Sequence, residues 1–362
     1  MAKTVEKPRI YRAIGLMSGT SMDGVDAAVI ETDGRRITSF GRCGSIPFEA
    51  AFQARLRDFI AKAPEPDGAH VDIEREFTDL NADAARRVMD QSPVDVVGFH
   101  GQTVWHRPHQ RRTWQMGDGQ RLARALETPV CFDFRSADVA AGGQGAPLAP
   151  VFHAALAAGL PRPAAILNLG GVGNVTWIGA DDSVIGFDTG PGNGLLDDWM
   201  LRHTGTPMDR DGAAAAQGAI AGDVLAALMS NDYFDLPPPK SLDRFAFGLD
   251  PVTGLSVEDG AATLAAFTAV SVDHSLRLCP AMPRQIHVTG GGRRNPTIMR
   301  MLKDGIGIDV APIEEIGGDG DHLEAQAFAF MAVRTMLGLP ISFPSTTGVP
   351  TPTVGGRIVE PN

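Results

Sequence analysis

The chain has 362 residues, 43% of them hydrophobic and 21% charged, with a formal net charge of −11. That length suits two domains or one large one, and the composition is ordinary for a globular protein. The acidity argues against a nucleic-acid surface, which needs basic stripes; apolar runs are broken by Gly, Asp or Pro well before the ~18 residues of a membrane helix. Cys43, Cys131 and Cys279 are far apart and offer neither a disulfide framework nor a CxxC metal clip. A reducing cytoplasm is the expected compartment. The N-terminal MAKTVEKPRIYR has no apolar core of the signal-peptide kind.

Residues 14–31, IGLMSGTSMDGVDAAVIE, are the most informative stretch. Apolar alternation on both sides of a Gly, Ser, Thr and Asp loop, with a turn at Asp33-Gly34, predicts a β-hairpin with the loop at its tip. A Walker loop would end in Gly-Lys-Ser/Thr and open a helix. Here Asp23 and Asp26 stand where the lysine would be. Small residues let backbone N–H groups approach a polyphosphate, so Thr20, Ser21 and the amides of Gly19 and Gly24 are candidate phosphate holders. A carboxylate beside phosphate implies an intervening Mg²⁺ with its waters, with Asp23 as the metal-side candidate. The plain alternative is a polar hairpin turn.

Phe52, Leu56, Phe59 and Ile60 then share one helical face, as do Ile73, Phe77, Leu80, Ala84 and Val88. VDVVGF (94–99) reads as a buried strand that runs into His100-Gly101-Gln102-Thr103-Val104-Trp105-His106. His100, Gln102 and Thr103 are neutral hydrogen-bonding groups suited to a sugar's hydroxyls or acetamido group; a satisfied turn histidine is the alternative. A zinc reading with His100, His106 and His109 lacks open-site geometry. TPVCF (128–132) is a further short strand, before Asp133-Phe134-Arg135 and Asp138. Arg135 either clamps a carboxylate or phosphate bidentately or pairs with a nearby Asp. Residues 140–150, AAGGQGAPLAP, are a Gly/Pro-rich break before a helix over 151–160.

A second module follows: AAILNL (164–169), Gly-Gly-Val-Gly, NVTWI (174–178), a turn at 180–182 and SVIGF (183–187). The strand, Gly-rich loop, strand order repeats that of the N-terminus, a duplication of pattern rather than of residues. Gly186-Phe187-Asp188-Thr189-Gly190-Pro191-Gly192-Asn193 ends a strand and opens a helix, at the edge where open α/β sheets bind ligands. The helix N-terminus favours an anion, and Asp188 suits a general base beside it; the alternative is an Asp that caps the turn. LPPPKS (236–241) is a loop, and an Ala-rich helix covers about 259–277. QIHVT (285–289) is a strand ending in Gly290-Gly291-Gly292, whose bare backbone suits a flat base or ribose. Arg293 and Arg294 either stack on adenine or are solvated. The last helix spans about 322–337. Its Glu324 either serves the site or sits at an exposed helix start, and the tail from Ile341 is expected to be irregular.

In this order, the phosphate hairpin, the strand-loop with Asp188 and the late Gly-Gly-Gly loop resemble the actin/Hsp70/hexokinase-type ATPases. More narrowly, GLMSGTSMDGVD, GFHGQTVWH, DFRSADVAAGGQGAPL, NLGGVGNVT, GFDTGPGN, TGGGRRN and LEAQAFAF resemble the anhydro-N-acetylmuramic acid kinases from about Ile14 to Leu337. The resemblance implies an α/β, two-lobed, ribonuclease H-like sugar kinase fold with its ligand cleft between lobes. It implies an N-terminal lobe of 1–140 completed by 322–362, and a C-terminal lobe of 141–321. The implied reaction takes 1,6-anhydro-N-acetylmuramic acid, ATP and water to N-acetylmuramic acid 6-phosphate and ADP, in peptidoglycan recycling, with Mg²⁺ and as a homodimer. Asp188 is then the base. Gly19, Thr20, Ser21, Met22, Asp23, Gly24, Val25 and Asp26 form the ATP loop, with Gly190, Gly290, Gly291 and Gly292. His100, Gln102, Thr103, Arg135 and Glu324 map to sugar contacts. NLGGVGNVT departs from the pattern by a second glycine, which touches loop flexibility. A kinase for another amino sugar, or an ATP-driven clamp, is the rival reading; a clamp needs a partner-binding domain, for which no chain is left over.

Overall fold

Strands β1 (Tyr11–Met17) and β2 (Gly24–Thr32) pair antiparallel, Met17 opposite Asp26, so the Gly/Ser/Thr/Asp loop is the hairpin tip the alternation predicts. The computed structural model describes residues 8–19, 21–62, 65–66, 70–243 and 246–362. The chain divides into two units, one running to Leu156 and resuming at His322–Asn362, the other Ala157–Asp321.

In the first unit β3 (Ile37–Pro47) extends the hairpin to a meander, and β4 (Val96–Phe99) joins β1 in parallel on its other side. β5 (Gln102–Arg107) and β6 (Arg112–Met116) form a separate hairpin. β7 (Val130–Phe132) pairs in parallel with β4. The second unit repeats this plan. β8 (Ala164–Leu169), β9 (Val172–Ile178) and β10 (Val184–Pro191) form the meander, and β11 (Gln285–Thr289) and β12 (Asp309–Pro312) follow in parallel. The sheet orders, β13-β7-β4-β1-β2-β3 with β13 at Arg357–Val359, and β10-β9-β8-β11-β12, share one five-strand topology. The duplication read from pattern is therefore one of architecture, and both units are α/β with central strands buried on both faces, as their apolar runs require.

The helix Leu323–Met336 belongs to the first unit and lies directly on its sheet. Gly15 and Gly98 are register partners on β1 and β4. A Cβ at Gly15 would lie 1.8 Å from the Ala325 carbonyl oxygen, and one at Gly98 2.2 Å from that of Phe328. Two adjacent glycines thus let helix backbone touch sheet backbone. Phe328, Phe330 and Val333 of this helix are buried.

Two expectations are corrected. The boundary falls at Leu156, not at 140: the Gln144 N–H donates to the Thr347 carbonyl, and Phe152 packs edge-on against Phe330, so residues 141–156 belong with the first unit. The tail is not irregular throughout. It forms a short helix, Pro344–Thr347, a bridge between Ser342 and Thr353, and the edge strand β13 on β7; its Pro and Gly signals mark the turns between these pieces.

Candidate active site

The hairpin loop is held from outside through its carbonyls. Met22 takes a left-handed φ of 53° and donates its N–H to the Gly19 carbonyl at 3.2 Å. Gln53 Nε2 donates to the Met22 carbonyl at 2.7 Å, and the Phe48 N–H to that of Asp23 at 2.9 Å. The buried Ser18 hydroxyl donates to Gln102 Oε1 at 2.8 Å, and Gln102 Nε2 reaches the Gly19 carbonyl at 3.4 Å. Gln102, expected as a sugar contact, thus braces the hairpin loop. Asp23 is exposed and accepts from the Ser21 hydroxyl at 2.8 Å; Asp26, near the start of β2, accepts from Ser45 at 2.6 Å. Thr20 lies outside the described residues. Exposed Asp23, with half-buried Asp26 on the adjoining strand, is an oxygen donor set of the kind Mg²⁺ takes directly or through water.

Three of the other predicted residues in this unit form a coupled group. His100, buried at the end of β4, places Nε2 3.0 Å from Arg135 Nη2. Burial, and then the Arg135 guanidinium, hold its pKa well below the usual histidine value, so the ring is neutral and its Nε2 accepts. Arg135 Nη1 donates to the Gly145 carbonyl at 2.7 Å. Burial lowers the Arg135 pKa, against the pull of Glu324 and Asp138. Glu324 sits in the first turn of Leu323–Met336 and remains solvent-accessible. The protein around it raises its pKa; Arg135 opposes that, and Asp26 adds to it. Thr103 accepts from Gln115 Nε2 at 3.3 Å and stands outside the group. Asp138 is buried and braces the Gly-rich loop, accepting the Gly145 N–H and the Thr347 hydroxyl at 2.6 Å each.

In the second unit Asp188 lies on β10, an edge strand, at an irregularity in its pairing with β9. Burial raises its pKa to about 6, against the Leu242 N–H, which donates to Oδ2 at 2.8 Å. Its backbone N–H donates to the Lys240 carbonyl at 3.0 Å, and its carbonyl accepts the Tyr233 hydroxyl at 2.6 Å. The following helix starts at Gly194, and the amides leading into it are held by the preceding loop. The amides of Gly192, Asn193 and Gly194 already donate to the carbonyls of Gly170 and Gly171. Gly190 is itself buried, with Ser271 where a Cβ would go.

In the Gly290–Gly292 loop, two glycines face the protein's own chain. A Cβ at Gly290 would meet Asn168 Oδ1 at 2.4 Å, and one at Gly292 would meet Leu169 Cβ at 2.5 Å. These two glycines seat the loop on the end of β8; only Gly291 is exposed. Arg293 is ion-paired rather than freely solvated: it binds Glu314 at 2.8 Å and Asp321 at 3.0 Å, and donates to the Gly290 carbonyl. Arg294 also pairs with Asp321. Sequence reasoning passed over Tyr233, Lys240 and Leu242; the only signal was a lone lysine after three prolines in LPPPKS.

The family model of anhydro-N-acetylmuramic acid kinases matches residues 11–361. The chain belongs to the anhydro-N-acetylmuramic acid kinase family. It is 55% identical over 348 residues to the anhydro-N-acetylmuramic acid kinase of Rhodospirillum rubrum, covering 95% of this chain and 93% of that one. To the anhydro-N-acetylmuramic acid kinase of Rhizorhabdus wittichii it is 53% identical over 360 residues, covering 96% and 99%. Among solved structures it is similar to xylulose kinase from Rhodospirillum rubrum, with TM-score 0.45, 13% identity and 89% and 90% of the two chains covered. It is also similar to a glucokinase from Streptomyces griseus in complex with glucose and AMPPNP, with TM-score 0.38, 14% identity and 89% and 99% covered. Those two likenesses inform neither substrate nor mechanism. As a member of the anhydro-N-acetylmuramic acid kinase family, the chain is an ATP-dependent kinase.

Proposed function

We propose that this kinase converts 1,6-anhydro-N-acetylmuramic acid, ATP and water to N-acetylmuramic acid 6-phosphate and ADP, as a step of peptidoglycan recycling. Family membership across residues 11–361 carries this reading. The bicyclic sugar has no free 6-hydroxyl, because O6 is tied to C1. Asp188 takes a proton from water as the water oxygen attacks C1. The C1–O6 bond opens, and O6 takes the γ-phosphoryl group from ATP. A carboxylate with its pKa raised to about 6 is ionised at neutral pH yet more basic than an ordinary aspartate, which suits a general base.

The Gly19–Asp26 loop holds the phosphates through backbone groups and Ser21, with Thr20 part of the same stretch, and Gln102 keeps the loop in place. Asp23, with Asp26 behind it, would hold Mg²⁺, directly or through water. When bound, the ion neutralises charge on the phosphate oxygens. Arg135 and Glu324, steadied by His100, orient the sugar, with Thr103 as a further contact. Gly190 and the Gly290–Gly292 loop shape the nucleotide's surroundings. A homodimer in the cytoplasm is the proposed working form; no single helix among the described residues is long and apolar enough to cross a membrane.

The test uses ATP with either the anhydro sugar or open N-acetylmuramic acid, on wild type and Asp188→Asn. Wild type is expected to phosphorylate the anhydro sugar. Asp188→Asn is expected to bind nucleotide normally and turn over about 10²-fold or more slowly. Transfer only to the open sugar would overturn the substrate; near-normal turnover of the variant would remove Asp188 from the base role.

A further inference from the structure

Asp188 sits on an edge strand, yet one stretch of chain engages its N–H, its carbonyl and one carboxylate oxygen. Lys240 accepts the N–H, Tyr233 donates to the carbonyl, and Leu242 donates to Oδ2. Oδ1 accepts no hydrogen bond among the described residues. The stretch is itself pinned. Lys240 Nζ folds back over the Tyr233 ring, 4.5 Å from its centroid, and donates to the carbonyls of Tyr233 and Phe234 at 2.9 Å each. Tyr233 and Phe234 are buried, and Phe234 packs edge-on against Phe267 of the helix Val257–Arg277. The Lys240 ammonium thus closes a loop of chain upon itself.

We propose that Lys240 and Tyr233 are positioning residues: they clasp segment 233–242 onto β10, so that the Leu242 N–H fixes Oδ2 and Oδ1 is left as the proton acceptor. This rests on Asp188 being the base, as proposed above. A carboxylate free to rotate presents either oxygen in many directions, whereas one anchored oxygen fixes where the other points. The same N–H bond favours the ionised form and so counters burial. Loss of that bond with the carboxylate still buried should therefore raise the Asp188 pKa as well as misplace the base. Burial lowers the Lys240 pKa to about 8, against the pull of Asp235. Tyr233 is the titratable group in contact with Asp188, and uncharged Asn174 is its partner on β9; Lys240 and Asp235, the latter paired with His274, are the charged groups on the segment.

The experiment measures pH–rate profiles of the full chain for wild type, Lys240→Ala, Tyr233→Phe and Lys240→Arg. In parallel, ¹³C-carboxyl NMR titration of aspartate-labelled protein is assigned with Asp188→Asn. In Lys240→Ala the acid limb and the Asp188 carboxyl midpoint should both move up by about one pH unit. Turnover at pH 7 should fall about tenfold, with KM for ATP and sugar within about twofold. Tyr233→Phe, which keeps the buried ring, should shift the same way by less, and Lys240→Arg should restore part of the loss. An unchanged or lowered midpoint in folded Lys240→Ala and Tyr233→Phe would overturn the proposal. So would a loss confined to KM, which would make Lys240 a substrate contact. The NMR readout does not depend on turnover. An active Asp188→Asn would therefore remove the base reading while leaving the clasp tested.

Discussion

A methyl group added at Gly15 tests how tightly the helix Leu323–Met336 is seated. The Cβ of Gly15→Ala would lie 1.8 Å from the Ala325 carbonyl oxygen and 2.5 Å from the Ala329 nitrogen. Both are backbone atoms of a buried helix, so no flexible side chain can yield, and the helix must retreat by more than an ångström to restore ordinary contact. Overpacking of this kind costs about 1–3 kcal/mol, and the rigid neighbour places Gly15→Ala at the upper end. For a unit of this size, each kcal/mol lowers Tm by about 2–4 °C, so a fall of about 5–10 °C is expected in a thermal melt. Glu324 precedes Ala325 on the same helix, so kcat/KM for the sugar should fall as well. Gly159→Ala is the control: nothing lies within 4 Å of its Cβ position, and a surface change of that kind stays within about 0.5 kcal/mol. A Gly15→Ala melt no different from the control would refute the close approach.

Three further outcomes follow from the site. The Asp188 pKa of about 6 puts the acid limb of kcat/KM near that pH, with activity lost as pH falls through it, because the base must be ionised. The sign for stability is the reverse of the usual aspartate case. The folded pKa lies above the unfolded one, so stability falls as pH rises from about 4 to about 6; relief of that cost in Asp188→Asn should raise Tm at pH 7 by the equivalent of about 1–2 kcal/mol. An acid limb below pH 5 would contradict this. Asp138→Ala should cost about 2–5 kcal/mol, since the Gly145 N–H and the Thr347 hydroxyl lose a buried acceptor. Faster proteolysis within residues 142–147 and a lower Tm would report it, and an unchanged melt would remove Asp138 from that bracing role.

The strand-loop-strand pattern was legible because buried strands need unbroken apolar runs and their turns need Gly and Asp. AAILNL is β8 residue for residue, and the predicted hairpin is β1–β2. The repeated topology was visible as pattern for the same reason. The β5–β6 hairpin was not read, because HGQTVWH mixes polar and aromatic residues as a ligand loop does, and only pairing with Arg112–Met116 makes it a strand. The three-residue β13 carries no periodicity to detect. At the site, residue type and order singled out Asp188, Arg135 and Glu324. The coupling of Arg135 to His100 and Glu324 was invisible, since it depends on burial and on contacts between residues far apart in sequence. At Gly290 and Gly292 glycine signalled a close approach, and the structure supplies one approaching group, the protein's own Leu169.

The chain leaves the first unit at Leu156 and returns to it only at His322. During synthesis the Gly15–Gly98 face therefore emerges from the ribosome long before the helix that covers it. It stays wettable until the entire second unit has been made. A truncated product ending before residue 322 would expose that face permanently, which makes it a natural substrate for chaperones and proteases rather than half an enzyme.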